Sequence, residues 1–159
     1  MTDVVDPATR SRMMAGISAK NTKPEIQLRS LLHRRGFRFR LHRKDLPGKP
    51  DIVFPGYRAV IFINGCFWHG HDCNFFRLPK TRSDFWLKKI QGNRARDMRQ
   101  LDELRLMGWR TLVIWECATR KGALMPVDAL IDRVEHWLKI ESDPIQIDAK
   151  GVHDKRQNK

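Results

Sequence analysis

The 159-residue sequence lacks any long hydrophobic run, and its most apolar stretch, residues 59–68, contains an Asn and a Gly. That stretch is about half of the roughly 20 apolar residues that a membrane helix needs, so the composition excludes a membrane-spanning protein. The amino terminus is acidic where a secretory signal would be basic and then apolar, which predicts a cytoplasmic protein. There are only three cysteines. This odd number fits metal ligands or free thiols better than a disulfide framework.

Negative charge is also scarce, since 18 Asp and Glu residues face 31 Lys and Arg residues and leave a net charge of +13. Residues 1–50 hold 12 basic and 4 acidic residues, residues 51–100 hold 9 and 4, and residues 101–159 hold 10 of each. The excess therefore lies in the first hundred residues. No long amphipathic helix or lipidation signal accompanies it, which favours nucleic acid over an anionic membrane as the partner.

Hydrophobic periodicity predicts one α/β domain with a mixed β-sheet flanked by helices. The predicted elements, in chain order, are a helix over about 23–35, a half-buried strand over 37–42, a hairpin over 51–54 and 57–64, a helix over about 84–107, a strand over 109–115 and an amphipathic helix that begins at 127 and stops before Asp143-Pro144. Residues 1–20 are expected to form an arm or short helix that binds DNA and orders on binding. Residues 21–142 form the predicted domain, and residues 143–159 a polar tail.

A loop rich in Cys and His contains candidate metal ligands. Five side chains compete for the four positions of a tetrahedral zinc site: Cys66, His69, His71, Cys73 and Cys117. The alternative is that the cysteines are buried without a metal. If zinc binds, one histidine is left over as a candidate general base, and the spacing leaves His69 and His71 both open. The other histidines are interpreted as isolated surface residues: His33, His42, His136 and His153.

Asp51 follows Pro50 at the start of the predicted hairpin, where a carboxylate can hold magnesium beside a phosphate. The alternative is an ordinary turn residue. Residues 52–71 contain no carboxylate, so further ligands would come from backbone carbonyls, water and substrate. Glu25 is explained as a helix-start residue by its capping-box spacing from Thr22.

Aromatic residues lie among basic ones over residues 67–89. On an extended backbone Phe67 and Trp68 point to opposite sides, so at least one is expected to be exposed and able to wedge between bases. Four residues share a helical stripe that could present a stacking ring and hydrogen-bonding groups to DNA: Trp86, Lys89, Ile90 and Asn93. The alternative is that Trp86 and Ile90 belong to the core and the polar pair is solvated.

With these residues placed, the chain resembles the very-short-patch DNA mismatch repair endonucleases from about Asp6 to Trp137. The matching stretches include residues 8–11, 46–51, 60–62, 65–69 with His71 and Cys73, 85–90, 108–110 and 115–117. The resemblance implies a restriction-endonuclease-like fold with structural zinc, in a monomeric, magnesium-dependent, nucleoid-associated bacterial enzyme. It also implies nicking of one strand of double-stranded DNA at T:G mismatches left by deamination of 5-methylcytosine, with other repair proteins as further partners.

The resemblance also assigns roles to individual residues. It implies that Asp51 and the Ile63 backbone carbonyl bind magnesium, that His69 is the catalytic histidine, and that Glu25 is an auxiliary carboxylate. The implied zinc ligands are Cys66, His71, Cys73 and Cys117. The implied DNA contacts are Phe67, Trp68 and Trp86 inserted at the mismatch, Met14 approaching from the minor groove, and Lys89 and Asn93 facing the mispair.

The chain departs from the family at residues 63 and 64, where Ile63-Asn64 replaces the usual Thr-His. Ile supplies the same backbone carbonyl, so magnesium binding should survive. Asn64 removes an imidazole near the scissile phosphate, which predicts weaker or less pH-dependent catalysis. Two rival functions are a zinc-containing DNA-binding protein without nuclease activity and a basic RNA-binding structural protein.

Overall fold

A computed structural model describes residues 22–120 and 122–154. Three helices are present in these ranges: α1 (Lys23–Arg34), α2 (Ser83–Leu106) and α3 (Val127–Ile140). Six strands form one sheet: β1 (Arg40–Leu41), β2 (Ile52–Phe54), β3 (Ala59–Asn64), β4 (Arg110–Trp115), β5 (Ile145–Asp148) and β6 (Gly151–Asp154). Short 3₁₀ turns follow β2 at Pro55–Tyr57 and β4 at Glu116–Thr119. The proposed N-terminal arm and Met14 lie outside the described residues.

The sheet is mixed, as the sequence predicts, with its strands in chain order. β1, β2 and β3 are antiparallel neighbours, β3, β4 and β5 run parallel, and β6 is antiparallel to β5. β3 and β4 pair from Ala59 opposite Arg110 to Asn64 opposite Trp115. Parallel strands end at the same edge, so the Cys/His loop after β3 and the turn after β4 begin side by side. This arrangement brings together the distant ligand candidates.

Helices cover both faces of the sheet, and the hydrophobic core forms where they pack against its strands. On one face α1 and α3 pack against the inward side chains of β2, β3 and β4. On the other face Leu104 of α2 packs with Val53, Val60 and Trp109. Successive side chains of a strand point to opposite faces of the sheet, so the same strands contribute apolar residues to the hydrophobic core on each face. The sheet is therefore packed between two helical layers. Among the described residues no helix has the length and apolar composition to cross a bilayer.

The carboxyl-terminal prediction is wrong for residues 145–154, which form β5 and β6 rather than part of a polar tail. Ile145 and Ile147 are buried, and they alternate with partly exposed Gln146 and Asp148. This period-2 pattern is too short to stand out against the polar residues around it. Pairing with β4 over three residues stabilises β5 in the sheet. The wider division into an arm, a domain and a tail stays a prediction.

The strand predicted over 37–42 is reduced to Arg40–Leu41. β1 is an edge strand that pairs only with β2, and His42 ends it with a left-handed φ of 50°. Helix α1 begins where predicted, with Thr22 in an extended N-cap conformation. The Thr22 side chain makes no capping hydrogen bond, and the carboxylate of Glu25 contacts His42 and Arg29 instead. The capping-box explanation of Glu25 is therefore wrong.

Candidate active site and metal centre

A cleft of about 430 Å³ opens at the ends of β2 and β3, and Asp51 lines it. Asp51 immediately precedes β2, and its Oδ2 accepts a hydrogen bond of 2.7 Å from the backbone N–H of Ile63 on β3. Burial raises the pKa of Asp51 to about 6, and the neighbouring Glu25 carboxylate adds to the rise. The cleft therefore holds a carboxylate whose charged form is poorly solvated and would gain from a bound cation.

Glu25 and His42 lie beside Asp51. Glu25 is in the first turn of α1 and is only 1% exposed, and its Oε1 contacts His42 Nε2 and lies 3.6 Å from an Arg29 nitrogen. His42 donates its backbone N–H to the Asp51 carbonyl at 3.2 Å. One ligand atom from each of Glu25, His42 and Asp51 lies within 4.8 Å of the others. The interpretation of His42 as an isolated surface residue is therefore wrong, because β1 carries it into the cleft.

His69 lines the same cleft, and its partner is Asp97 of α2. His69 Nδ1 and Asp97 Oδ2 are 2.5 Å apart. A carboxylate accepts hydrogen bonds, so Nδ1 is the nitrogen that donates, and in the neutral tautomer with this proton Nε2 has the lone pair. Sequence reasoning missed Asp97, because nothing in its local pattern separates it from the other charged residues of α2.

Polar and basic side chains line another part of the cleft, beside the apolar Phe62, Leu101 and Val113. Lys44 and Lys49 line it beside Asn64 and Gln100. Ammonium groups next to carboxylate and imidazole side chains suit a phosphate-containing substrate. The cleft thus combines a cation-attracting corner at Asp51 with an anion-attracting rim.

The four residues expected to bind zinc converge where the loop after β3 meets the turn after β4. Ligand atoms of Cys66, His71, Cys73 and Cys117 lie within 4.8 Å of one another, and Cys117 Sγ is 3.6 Å from His71 Nδ1. Tetrahedral zinc with bonds of about 2.0–2.3 Å needs ligand atoms roughly 3.3–3.8 Å apart, which small movements supply. His69 lies in the cleft instead, so the structure separates the two histidines that spacing alone could not.

Burial sets the ionisation of the cluster. It raises the pKa of the Cys66 and Cys117 thiols and lowers that of His71. Thiols that are protonated when the site is empty must release their protons to bind a metal as thiolates. Neutral His71 already has the form that coordinates a cation.

β5 supports the cluster from the side. Asp148 Oδ2 lies 3.2 Å from His71 Nε2, and the Ala149 N–H donates to Cys117 Sγ at 3.3 Å. The His71 ring also stacks on Trp115, with ring centres 4.3 Å apart. A carboxylate on the second nitrogen of a histidine fixes the tautomer and direction of the first. Sequence reasoning missed Asp148 because it placed this segment in the tail.

Phe67, Trp68 and Trp86 form one aromatic group. The loop turns rather than extends, with the His71 N–H donating to the Cys66 carbonyl at 2.9 Å. The expectation that Phe67 and Trp68 point to opposite sides, with at least one of them exposed, is therefore wrong. Their ring centres lie 5.2 Å apart, and 5.5 and 5.9 Å from the ring centre of Trp86. Phe67 and Trp68 are half-buried, and Trp86 is 9% exposed.

The polar residues of the predicted stripe have separate environments. Lys89 is exposed, and Ile90 is buried. Asn93 donates its side-chain amide to the Trp68 carbonyl at 2.9 Å. Trp86 and Ile90 thus lie in the interior as the alternative supposes, while Asn93 holds the backbone of the aromatic loop.

The sequence comparisons agree with these features. The family profile described as DNA mismatch endonuclease Vsr matches residues 2–75. DNA mismatch endonuclease Vsr of Escherichia coli strain K12 is 46% identical over 153 residues, which cover 96% of this chain and 98% of that protein. The type II nicking enzyme V.XorIIP of Xanthomonas oryzae pv. oryzae is 56% identical over 117 residues, covering 74% and 86% of the two chains. V.NmeAIP of Neisseria meningitidis serogroup A is 45% identical over 124 residues, covering 78% and 89%.

The matched relatives are DNA endonucleases, and the cleft with its carboxylate and histidine side chains fits that class of protein. It belongs to the family of the DNA mismatch endonuclease Vsr.

Proposed function

We propose that the protein is a magnesium-dependent endonuclease with a restriction-endonuclease-like fold that nicks one strand of double-stranded DNA at T:G mispairs left by deamination of 5-methylcytosine. The observation that carries this proposal is the convergence of Asp51 and the His69–Asp97 pair on one basic cleft. A phosphodiester hydrolase needs a cation-binding carboxylate and a base for water within reach of one phosphate. The relatives named for mismatch endonuclease and nicking activity support the choice of substrate.

The oxygen donors of the cleft fit magnesium. Asp51 supplies a carboxylate, and the Ile63 carbonyl on the neighbouring strand would complete the protein's share of the ligands. Magnesium, when bound, would polarise the scissile phosphate and offset its growing negative charge. Asp51 would be oriented for this by the Ile63 N–H, which holds its Oδ2.

His69 is the proposed general base. Its Nδ1 proton is held by Asp97, so Nε2 can take a proton from a water molecule that attacks the phosphate. Asp97 would stabilise the imidazolium formed in this step. Lys44 and Lys49 would hold the flanking phosphates, and Glu25 is proposed as an auxiliary carboxylate behind Asp51.

Zinc is proposed as a structural cofactor bound by Cys66, His71, Cys73 and Cys117. The donor set fits zinc because it combines thiol and imidazole side chains whose ligand atoms lie within 4.8 Å of one another, and because Asp148 supports His71. The bound ion would tie the loop after β3 to the turn after β4. Since His69 and the aromatic pair lie in that loop, zinc would fix both the catalytic base and the DNA-contacting rings.

Recognition is proposed to use the aromatic group and α2. Phe67 and Trp68, with Trp86 beneath them, would insert next to the mispair, Lys89 and Asn93 would face it, and Met14 would approach from the minor groove. The protein is proposed to act as a monomer in the bacterial nucleoid, with other repair proteins as further partners.

The decisive experiment maps nicks on matched and T:G-mismatched duplexes in varied flanking sequences, with magnesium or with EDTA. We expect one nick beside the mispair that requires magnesium and disappears in Asp51→Ala and His69→Ala, while both variants still bind DNA. Binding to the mismatch without a nick in any divalent cation would instead support a DNA-binding protein without nuclease activity. Equal nicking of matched duplexes would remove the mismatch from the proposal.

A further inference from the structure

The corner of the cleft behind Asp51 contains a mixed nitrogen and oxygen donor set. Glu25, His42 and Asp51 come from α1, the end of β1 and the start of β2, and one ligand atom of each lies within 4.8 Å of the others. The backbone hydrogen bond from His42 to the Asp51 carbonyl ties two of them together. Residues this far apart in sequence meet here because the β1–β2 pairing and the packing of α1 bring them to one point.

Two carboxylates so close together need positive charge. Glu25 is buried, Asp51 is partly buried, and the Glu25 charge bears on Asp51. Arg29 on α1, with a guanidinium nitrogen 3.6 Å from Glu25 Oε1, supplies part of this positive charge. A divalent cation between the three donors would offset the repulsion on the cleft side, where its remaining ligands could be water.

The imidazole decides which cation fits. Magnesium takes oxygen ligands and keeps several waters, so it gains little from a nitrogen donor. First-row transition-metal ions accept imidazole together with carboxylates, and their affinity for such sites exceeds that of magnesium. His42 Nε2 contacts Glu25 Oε1 in the metal-free protein. To bind a cation it would release its proton to solvent and exchange this hydrogen bond for the bond to the metal.

We propose that Glu25, His42 and Asp51 form a divalent-cation site in which His42 Nε2 is a direct ligand, so that the site prefers a transition-metal ion such as Mn²⁺ to Mg²⁺. This inference rests on the proposed function because Asp51 is the carboxylate assigned there to magnesium. It gives that carboxylate a second cation position on its Glu25 side. The chain would then cut with manganese under conditions where magnesium leaves this position empty.

Mn²⁺ is the probe, used with zinc-loaded, DNA-free protein. Electron paramagnetic resonance counts the bound ions, and electron spin-echo modulation detects ¹⁴N of a coordinated imidazole. We expect the wild-type protein to show that coupling. In His42→Asn the coupling should disappear and Mn²⁺ affinity should fall by about tenfold or more, as losses at metal ligands and their partners do. Mg²⁺ affinity should hardly change.

Asn is the chosen replacement because it tolerates the left-handed φ of residue 42 and keeps a hydrogen-bond donor for Glu25. His136→Asn, at an exposed histidine on α3, is the matched control and should retain the coupling. His69→Asn should also retain it. If His42→Asn does not fold, the wild-type and His69→Asn spectra still show whether Mn²⁺ is coordinated by an imidazole other than that of His69.

Three results would overturn the proposal: no imidazole coupling in the wild-type protein, coupling that survives in folded His42→Asn, or coupling lost in His69→Asn. None of these measurements uses nicking. Failure of the proposed function would appear separately, as a wild-type protein that leaves T:G duplexes intact in both magnesium and manganese.

Discussion

His69 and Asp97 are joined across the cleft, with His69 Nδ1 at 2.5 Å from Asp97 Oδ2. The histidine belongs to the loop after β3 and the aspartate to the middle of α2. Their hydrogen bond links a loop that is also tied to the Cys/His cluster with the helix that carries Lys89 and Asn93. The direction of the imidazole therefore depends on how loop and helix are packed.

Replacing Asp97 tests this dependence. We expect Asp97→Asn to lower the nicking rate roughly 10- to 100-fold, less than the loss in His69→Ala, because the imidazole remains but loses the charge that orients it. Single-turnover nicking gives the rate, and equilibrium titration gives DNA affinity, which should hardly change. Asp102→Asn, on the same helix and paired with exposed Arg105, is the control and should leave both unchanged. Equal rates in the two variants would remove Asp97 from the mechanism.

The partly buried Asp51 predicts an unusual dependence of stability on pH. Burial raises its pKa from 3.8 to about 6 in the folded protein, so the folded state binds the proton more tightly than the unfolded state. The stability linked to this proton is fully present below about pH 4 and is lost as the pH rises through about 6. At pH 7 the metal-free protein should therefore gain about 3 kcal/mol from Asp51→Asn. Denaturant unfolding in EDTA between pH 4 and 8 measures the difference in unfolding free energy between Asp51→Asn and the wild-type protein. This difference should become smaller at acid pH, and also when magnesium replaces EDTA and stabilises the wild-type protein.

Zinc bound by the Cys/His cluster should contribute to folding as well as to the site. We expect one zinc per chain, and Cys117→Ala should lose the metal and much of the stability, because the bond between the loop and the β4 end goes with it. Asp148→Asn should keep the fold but weaken zinc binding about 10- to 100-fold, since His71 loses its charged partner. Elemental analysis and competition with a chelator give both quantities. A fully folded protein that contains no zinc would contradict the assignment.

Gly70 is required by both conformation and space. Its φ is 61°, and an added Cβ would lie 2.6 Å from Ile90 Cγ2 and 2.9 Å from Arg94 Cδ. Gly70→Ala should cost at least about 1–2 kcal/mol of unfolding free energy and lower nicking, because the neighbouring His69 is displaced. Gly92→Ala, where a Cβ meets nothing within 4 Å in the middle of α2, should be neutral or stabilise by about 1 kcal/mol. Thermal unfolding of the pair separates the two cases, and equal effects would show that Gly70 is not constrained.

Much of the fold could be predicted because its elements are long and strongly periodic. The helices α1, α2 and α3 and the strands β2, β3 and β4 begin and end within about two residues of the predicted positions, and α3 ends before Asp143 as expected. β5 and β6 were missed because four-residue strands in a polar segment give little periodic signal. β1 was overestimated because an edge strand is stopped by backbone geometry at His42 that composition does not reveal.

The candidate site could be predicted where residue type is distinctive. Cysteines and histidines in one loop indicate a metal site, and Cys117 joins them because parallel strands end together. Asp97, Asp148 and His42 are common residues in ordinary surroundings, and only the tertiary structure brings them to His69, His71 and Glu25. Their partners lie 17 to 77 positions away, beyond any local pattern.

Discrimination between mismatched and matched DNA should separate from overall affinity. The +13 charge attracts any duplex, and that attraction weakens with salt because each neutralised phosphate releases counterions. Lys44 and Lys49 line the cleft, so Lys44→Ala and Lys49→Ala should each weaken binding to both duplexes and reduce the salt slope by about 1. These two variants are the reference for the aromatic residues.

Trp68 should act on discrimination instead. Its ring contacts Phe67 and Trp86, and its carbonyl is held by Asn93, so the aromatic pair is presented as one unit. Inserting that unit into DNA requires unstacking of a base step, and a mismatched step resists less than a paired one. Trp68→Ala should therefore lower the preference for T:G over matched duplexes while leaving the salt slope nearly unchanged, as measured by binding titrations at several salt concentrations. If it weakened both duplexes equally, Trp68 would serve to pack the loop against Trp86, and the wedge would have to be assigned to Phe67 or abandoned.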